Sequence, residues 1–320
     1  MISLLANVPP KINPVAFTIG NLEVRWYAII LTCAMLVALF VLYKLAKGKG
    51  FTGDFILEVF LWTIPLAIVA ARLGYCLPRA EYWTSWEGFN RVFKIWEGGL
   101  TILSGIFGGL LGIFIACKHK KVALFDVVDL VIPALLIGQA IGRWGNFMNE
   151  ELFGVQITDP AFQWMPFAVY IHNPGGGLEP GWYAASFFYE SVMNLVMGIL
   201  MLLLVKQNKY KPSELSFIYL AWYGLLRGIL EFIKVGAFQL GGKVGGAQVF
   251  SFCMAIAGFI MVILIKKGVV RFMDTEKLRL KKNLEYVVND AYVDGKFSEA
   301  FAKKEEEEER EEKERKNRNK

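Results

Sequence analysis

The chain has 320 residues, is 55% hydrophobic and 14% aromatic, and carries a formal net charge of +6 at pH 7 with only two histidines. Its mean hydropathy is +0.41, whereas a soluble domain of this length is about 45–50% apolar and interrupts its apolar runs more often, so an ordinary soluble enzyme is excluded. The positive balance does not indicate nucleic acid either, because the basic residues fall in short clusters between apolar stretches and in the C-terminal tail, which is a membrane-topology signal.

Residues 1–14 place no basic region ahead of the first long apolar stretch, and Lys44, Lys47 and Lys49 follow it; this disfavours a cleaved signal peptide. Three runs carry no charge at all: 26–43 and 100–117, each of 18 residues, and 244–265, of 22. At about 1.5 Å per residue they match or approach the hydrocarbon thickness of a bilayer. Hydropathy predicts seven membrane helices, at about 24–45, 55–77, 99–117, 122–142, 183–205, 214–234 and 246–266. The expected fold is therefore an all-α polytopic membrane helix bundle of about seven transmembrane helices.

Alternate connections differ in charge. One side collects Lys44, Lys47, Lys49, Lys118, Lys120, Lys121, Lys206, Lys209, Lys211, Lys266, Lys267 and Arg271. The other has Lys11, Arg79, Arg91, Lys94, Lys234 and Lys243, with Arg143 alone in 143–182. The excess of Lys and Arg on the inside predicts an N-terminus outside and a C-terminus in the cytoplasm. Residues 1–270 read as the membrane domain. Within it, 147–182, rich in aromatics, Pro and Gly, reads as an extracytoplasmic cap. Residues 271–320 read as a charged cytoplasmic tail, a solvated helix or a disordered segment, to which no chemistry is assigned.

Cys33, Cys76, Cys117 and Cys253 lie in or beside apolar spans without pairing or ligand spacing, and are expected to be small buried hydrophobes. With only His119 and His172 available, neither a metal site nor a cofactor is expected.

Ionisable groups inside a bilayer cost about 2.5–3.5 kcal/mol each at a helix centre, so each needs a reason. In the predicted orientation Arg72 with Tyr75, Arg143 with Asn146, and Tyr223 with Arg227 and Glu231 lie near the outer ends of spans two, four and six. Arg25 with Tyr27, Tyr189 with Glu190, and Gln248 lie near the outer beginnings of spans one, five and seven. Such groups can be ion pairs joining helices, or can snorkel to the interface. Several arginines at one depth also suit an anionic lipid head, since guanidinium binds phosphate oxygens bidentately. Arg227 and Glu231, four apart, share a helix face and can pair. Asp126, Asp129 and Glu58, at the opposite ends, are expected to be solvated or to start helices.

The densest cluster of polar residues is the segment 142–154, which places Arg143, Asn146, Asn149, Glu150 and Glu151 among Gly142, Gly145 and Gly154 in what reads as one tight turn. Its pattern, G-R-x-G-N-F-x-N-x-E-x-x-G, closely resembles the signature of the prolipoprotein diacylglyceryl transferases. The resemblance extends over most of the membrane region. Arg25-Trp26-Tyr27 is similar to an early tyrosine site of that family, and Ala71-Arg72-Leu73-Gly74-Tyr75 to its second-span motif. Trp96-Glu97-Gly98-Gly99, Phe188-Tyr189-Glu190-Ser191, and Tyr223-Gly224 with Arg227 and Glu231 are similar to further family motifs. Two positions depart from the pattern: Leu103 stands where some members carry a histidine proposed as a base, and Ala184-Ala185 where others carry His-Pro.

The resemblance implies transfer of the diacylglyceryl group of phosphatidylglycerol to the lipobox cysteine of a prolipoprotein signal peptide, forming a thioether and releasing glycerol phosphate. It implies that Arg143 and Arg227 bind and stabilise the phosphate, and that Asn146, Asn149 and Tyr27 fix the lipid head. Glu151 and Glu231 would orient the arginines, and Glu190 or a tyrosine would accept the thiol proton. Tyr223, Gly154 and Arg72 complete the expected binding set. The alternatives are a transporter whose arginines line a path, for which paired halves should be visible and no repeat is found, and another transferase acting on the same lipid.

Overall fold

In the computed structural model the described residues are 8–20, 22–95, 98–233 and 246–272. Trp96, Glu97, Lys234, Lys243 and the tail from residue 273 lie outside them. Seven described helices are long and apolar enough to cross a membrane, which agrees with the predicted number. Their outward faces are apolar, with Leu61, Phe107, Ile199 and Phe259 all exposed. Such faces suit a lipid solvent, and the chain is a multi-pass membrane protein.

The described residues fall into two compact units, one of residues 8–42 and 129–272 and the other of residues 43–128. The first unit opens with an antiparallel hairpin, β1 (Val15–Ile19) and β2 (Leu22–Arg25), in the register Thr18↔Glu23. Arg25 belongs to this hairpin and pairs with Glu23 at 3.6 Å. Helix α1 (Trp26–Gly48) follows directly, so the first span begins two residues later than predicted.

The other long helices, in chain order, are α2 (Gly53–Cys76), α4 (Ile102–His119), α5 (Leu124–Met148), α6 (Ser186–Lys206), α7 (Glu214–Phe232) and α8 (Gly246–Lys266), with a short α3 (Trp86–Val92) between α2 and α4. The expected all-α class is modified by two small two-stranded sheets. The second sheet lies in the segment read as a cap: β3 (Ala168–Ile171) pairs with β4 (Gly181–Ala184) in the register Ala168↔Ala184. Its apolar side, Val169, Ile171 and Tyr183, forms a small core with Ala185 and Phe187 at the start of α6, against which Phe147, Phe153 and Phe188 pack. This core fixes the chain leaving α5 to the chain entering α6, and it is why the fifth span starts at Ser186 and not at 183.

Small residues set the helix spacing in both units. In the first, a Cβ added to Gly224 would stand 2.6 Å from the Ser251 carbonyl of α8, and one on Gly228 2.8 Å from the Phe252 ring. In the second, a Cβ on Gly112 of α4 would stand 2.6 Å from Thr63 Cα of α2. With no hydrophobic drive between helices in lipid, such close approach supplies van der Waals contact that larger residues would prevent.

Asp129 overturns an expectation. It is 0% exposed, not solvated. Its carboxylate accepts from the Ser213 amide (2.7 Å), the Ser216 amide (2.9 Å) and the Ser216 hydroxyl (2.6 Å). Ser213 precedes α7 in a left-handed conformation, φ 71°, in which its own side chain makes no cap bond. The aspartate of α5 therefore caps α7 from a distance in sequence, satisfying amide donors that a helix start leaves open. Glu58, in the second unit, pairs with His119 (2.6 Å) and Lys120 (3.6 Å). Of the four cysteines, Cys76 and Cys117 are buried as expected, but Cys33 and Cys253 are exposed; on a lipid-facing helix surface a small apolar side chain needs no burial in protein.

Candidate active site

Three helices of the first unit converge their charges. Arg143, in the next-to-last turn of α5, donates from Nη2 to Glu190 Oε2. Glu190, one turn into α6, presents its second oxygen to Arg227 Nη1 of α7 at 3.6 Å. Arg227 Nη2 in turn lies 3.6 Å from Glu231 Oε2, one helical turn on. Glu190 is 5% exposed, so one buried carboxylate bridges two guanidiniums, and a second carboxylate faces one of them. The arrangement carries fixed positive charge whose partners are carboxylate oxygens, the same acceptor geometry that a phosphate offers.

The signature segment is built differently from the expected turn. Helix α5 continues through Met148, so Arg143 and Asn146 are helical and only the residues after 148 form the loop. The chain then reverses through Glu150 (φ 53°) and Leu152 (φ 55°), both left-handed. Glu151 accepts from the side-chain amides of Asn146 (3.4 Å) and Asn149 (3.3 Å), so that it holds two amides in place. Glu150 turns the other way: its carboxylate accepts from the His172 amide (3.0 Å), the Asn173 amide (3.0 Å) and the His172 ring (2.8 Å).

Two glycines make room. A Cβ on Gly145 would meet the Tyr27 ring at 2.9 Å, so the absence of a side chain there seats Tyr27 of α1 against α5. At Gly154 a Cβ would stand 2.6 Å from the Ile233 carbonyl and 2.9 Å from both Ala184 Cβ and Ser186 Oγ. The Gly154 amide donates to Ala184 O at 2.8 Å, joining the loop to β4. Beside this contact lies a small, half-open pocket lined by Leu152, Phe153, Ser186, Glu190, Arg227 and Leu230.

Residues 14–264 match the model of the family described as prolipoprotein diacylglyceryl transferase. The chain belongs to the prolipoprotein diacylglyceryl transferase family. It is 31% identical over 275 residues to the phosphatidylglycerol–prolipoprotein diacylglyceryl transferase of Lysinibacillus sphaericus, covering 83% of this chain and 98% of that one. It is 29% identical to the enzyme of that name from Listeria monocytogenes, over 94% of this chain and 100% of that one. With the transferase 1 of Clostridium perfringens it shares 36% identity over 79% of this chain and 94% of the relative.

Of the residues singled out in the sequence, Arg143, Glu190, Arg227 and Glu231 form one connected charge cluster, and Asn146, Asn149 and Glu151 form one hydrogen-bonded group. Among the described contacts Glu151 meets amides and not an arginine, so of the two carboxylates expected to orient arginines Glu231 is the one seen beside a guanidinium. Tyr223 lies one turn before Arg227 and stacks on Tyr219, ring centroids 5.7 Å apart, while the Tyr219 hydroxyl accepts from Gln139 at 3.0 Å.

Arg72 has a separate employment within the second unit. It is 4% exposed, and its guanidinium donates to the carbonyls of Val92 (2.9 Å), Gly99 (3.1 Å), Lys94 (3.3 Å), Arg91 and Gly98. Gly98 (φ 83°) and Gly99 (φ 77°) are both left-handed, which only glycine adopts without strain and which turns their carbonyls onto it. Leu103, at the position of the family histidine, is 57% exposed. Sequence reading passed over Ser186 and the Glu150–His172 pair. Ser186 was detectable as the residue four before Glu190, on the same helix face; nothing local marks His172 as the partner of Glu150.

Proposed function

We propose that this chain transfers the diacylglyceryl group of phosphatidylglycerol to the lipobox cysteine of prolipoproteins, with its signature end at the outer face of the bacterial cytoplasmic membrane. The observation that carries this reading is the bridging of Arg143 and Arg227 by Glu190 at the ends of three membrane helices. The clusters of lysine on alternate connections support the orientation, which leaves the N-terminus outside and the C-terminus in the cytoplasm. The lengths and names of the family relatives support the substrate pair.

In this reading the lipid phosphate takes up acceptor positions on Arg143 and Arg227 beside Glu190. The substrate thiol attacks the glycerol carbon that bears the phosphate, the carbon–oxygen bond breaks, a carbon–sulfur bond forms, and glycerol phosphate leaves with the bonding electrons. Two fixed guanidiniums stabilise the charge that develops on the departing phosphate, and they do so without reorganising at the moment of reaction. Asn146, Asn149 and Tyr27 hold the lipid head, and Glu151 holds the two asparagines. Glu190 or a tyrosine of this end takes the thiol proton. Arg72 acts through the backbone it clamps: it positions the end of α3, Lys94 and the Gly98–Gly99 carbonyls rather than touching lipid.

The test is direct. Purified protein in phosphatidylglycerol vesicles, given a lipobox peptide, should yield a peptide whose cysteine gains the mass of a diacylglyceryl group, together with free glycerol phosphate. A phosphatidyl or acyl adduct in its place, or no adduct from well-folded protein, rejects the proposal.

A further inference from the structure

Ser186 sits at the first position of α6 and is 8% exposed. Its hydroxyl has no hydrogen-bond partner among the described residues. A buried polar group left unsatisfied costs about 1–3 kcal/mol, so such a hydroxyl in a native fold needs an explanation. The residue lines the cavity that also holds Glu190, one turn further along the same helix face, and Arg227. A Cβ on Gly154 would crowd the hydroxyl at 2.9 Å.

The polar part of this wall is therefore an acceptor-only carboxylate, a donor-only guanidinium and a hydroxyl that can do both. The rest, Leu152, Phe153 and Leu230, is apolar. A group that satisfies all three must offer a donor to Glu190, an acceptor to Arg227 and a hydroxyl-sized partner to Ser186. A polyol phosphate does so: its phosphate oxygens meet the guanidinium while an adjacent hydroxyl donates to the carboxylate and accepts from the serine.

We propose that Ser186 is a specificity-determining residue, reading the free glycerol of the phosphatidylglycerol head through a hydrogen bond made by its buried hydroxyl in the Glu190–Arg227 cavity. A site built to bond a substrate hydroxyl discriminates strongly against the analogue lacking it, because its polar groups are then left unpaired. The inference rests on the phosphate reading above and adds the headgroup to it.

The experiment uses the purified full-length protein and two soluble probes, glycerol 1-phosphate and methyl phosphate, which share the phosphate and differ in the polyol. Calorimetric binding should favour glycerol 1-phosphate by at least about tenfold, the worth of roughly one good hydrogen bond. In Ser186→Ala that advantage should disappear while methyl phosphate binds as before. In the transfer assay KM for phosphatidylglycerol should rise about tenfold with kcat nearly unchanged, and Ser186→Thr, which keeps the hydroxyl, should recover most of the loss. Equal binding of the two probes to the wild type, or an advantage that survives in Ser186→Ala, overturns the proposal. If Ser186→Ala does not fold, Ser186→Cys is measured in its place, and an undiminished advantage there overturns it equally. Arg227→Ala separates the two readings: undiminished binding of both probes to that variant rejects the phosphate role, whereas loss of both with the wild-type preference intact leaves the two readings standing together.

Discussion

Arg72 and the Arg143–Arg227 pair are the same chemical group in the same kind of solvent, but the protein uses them in opposite ways. Arg72 donates to five backbone carbonyls, at the end of α3 and in the chain that follows it. Those acceptors are part of the chain and cannot be exchanged for a ligand, so the charge is committed to holding that backbone. Arg143 and Arg227 meet side-chain carboxylates, and Arg227 also lines a cavity. A carboxylate is a partner that a phosphate can join or replace. Burial of a charge therefore does not identify a site; the nature of its acceptors does.

The comparison is broken most severely by removing the arginines that face carboxylates. Arg143→Ala and Arg227→Ala are each expected to lower transfer per folded molecule by about a hundredfold to a thousandfold, the scale for losing a preorganised group that stabilises transition-state charge, with a lower melt in detergent because each leaves the buried Glu190 carboxylate short of a partner. Wild-type rates in either variant, measured by mass spectrometry of the peptide adduct, reject their phosphate role. Gly154→Ala comes next. Its Cβ meets a backbone carbonyl at 2.6 Å and the Ser186 hydroxyl at 2.9 Å, so the loop or α6 must shift. A displacement on the order of 1 Å at a catalytic wall costs about a hundredfold in rate.

Arg72→Ala should show the reverse profile. Several buried carbonyls lose a charged donor, for a stability loss of at least about 3 kcal/mol, read as a lower melting temperature, while the folded fraction retains phosphate-dependent chemistry. A variant of unchanged melt and abolished transfer would return Arg72 to the substrate. The smallest effect is expected at Asp129→Ala, where α7 loses its cap at a cost of about 1–2 kcal/mol with transfer per folded molecule unchanged.

How far the sequence could be read depended on how local each signal is. The seven helices follow from uncharged runs, since a backbone in lipid must satisfy its own hydrogen bonds and helices do this within one segment. Arg227 and Glu231 were legible as a pair because four residues is one turn. The continuation of α5 through Arg143 and Asn146 was not legible, because glycines at 142 and 145 mimic a turn; packing of Tyr27 into the space beside Gly145 is what the glycine serves. Asp129 looked like a solvated helix residue for a similar reason. Its partners, Ser213 and Ser216, lie at the start of another helix, and no local pattern predicts that meeting.

By itself the sequence determined the solvent, the number of spans, the family and the residues that carry charge into the bilayer, because hydropathy, helical period and a dense motif are properties of neighbouring residues. Tertiary structure alone decided which arginine is spent on backbone and which share a carboxylate, and it alone left the Ser186 hydroxyl buried beside them with no partner among the described residues. The physical reason is that a buried charge or hydroxyl takes its role from the acceptors and donors brought within about 3 Å of it, and here those come from helices far apart in the chain.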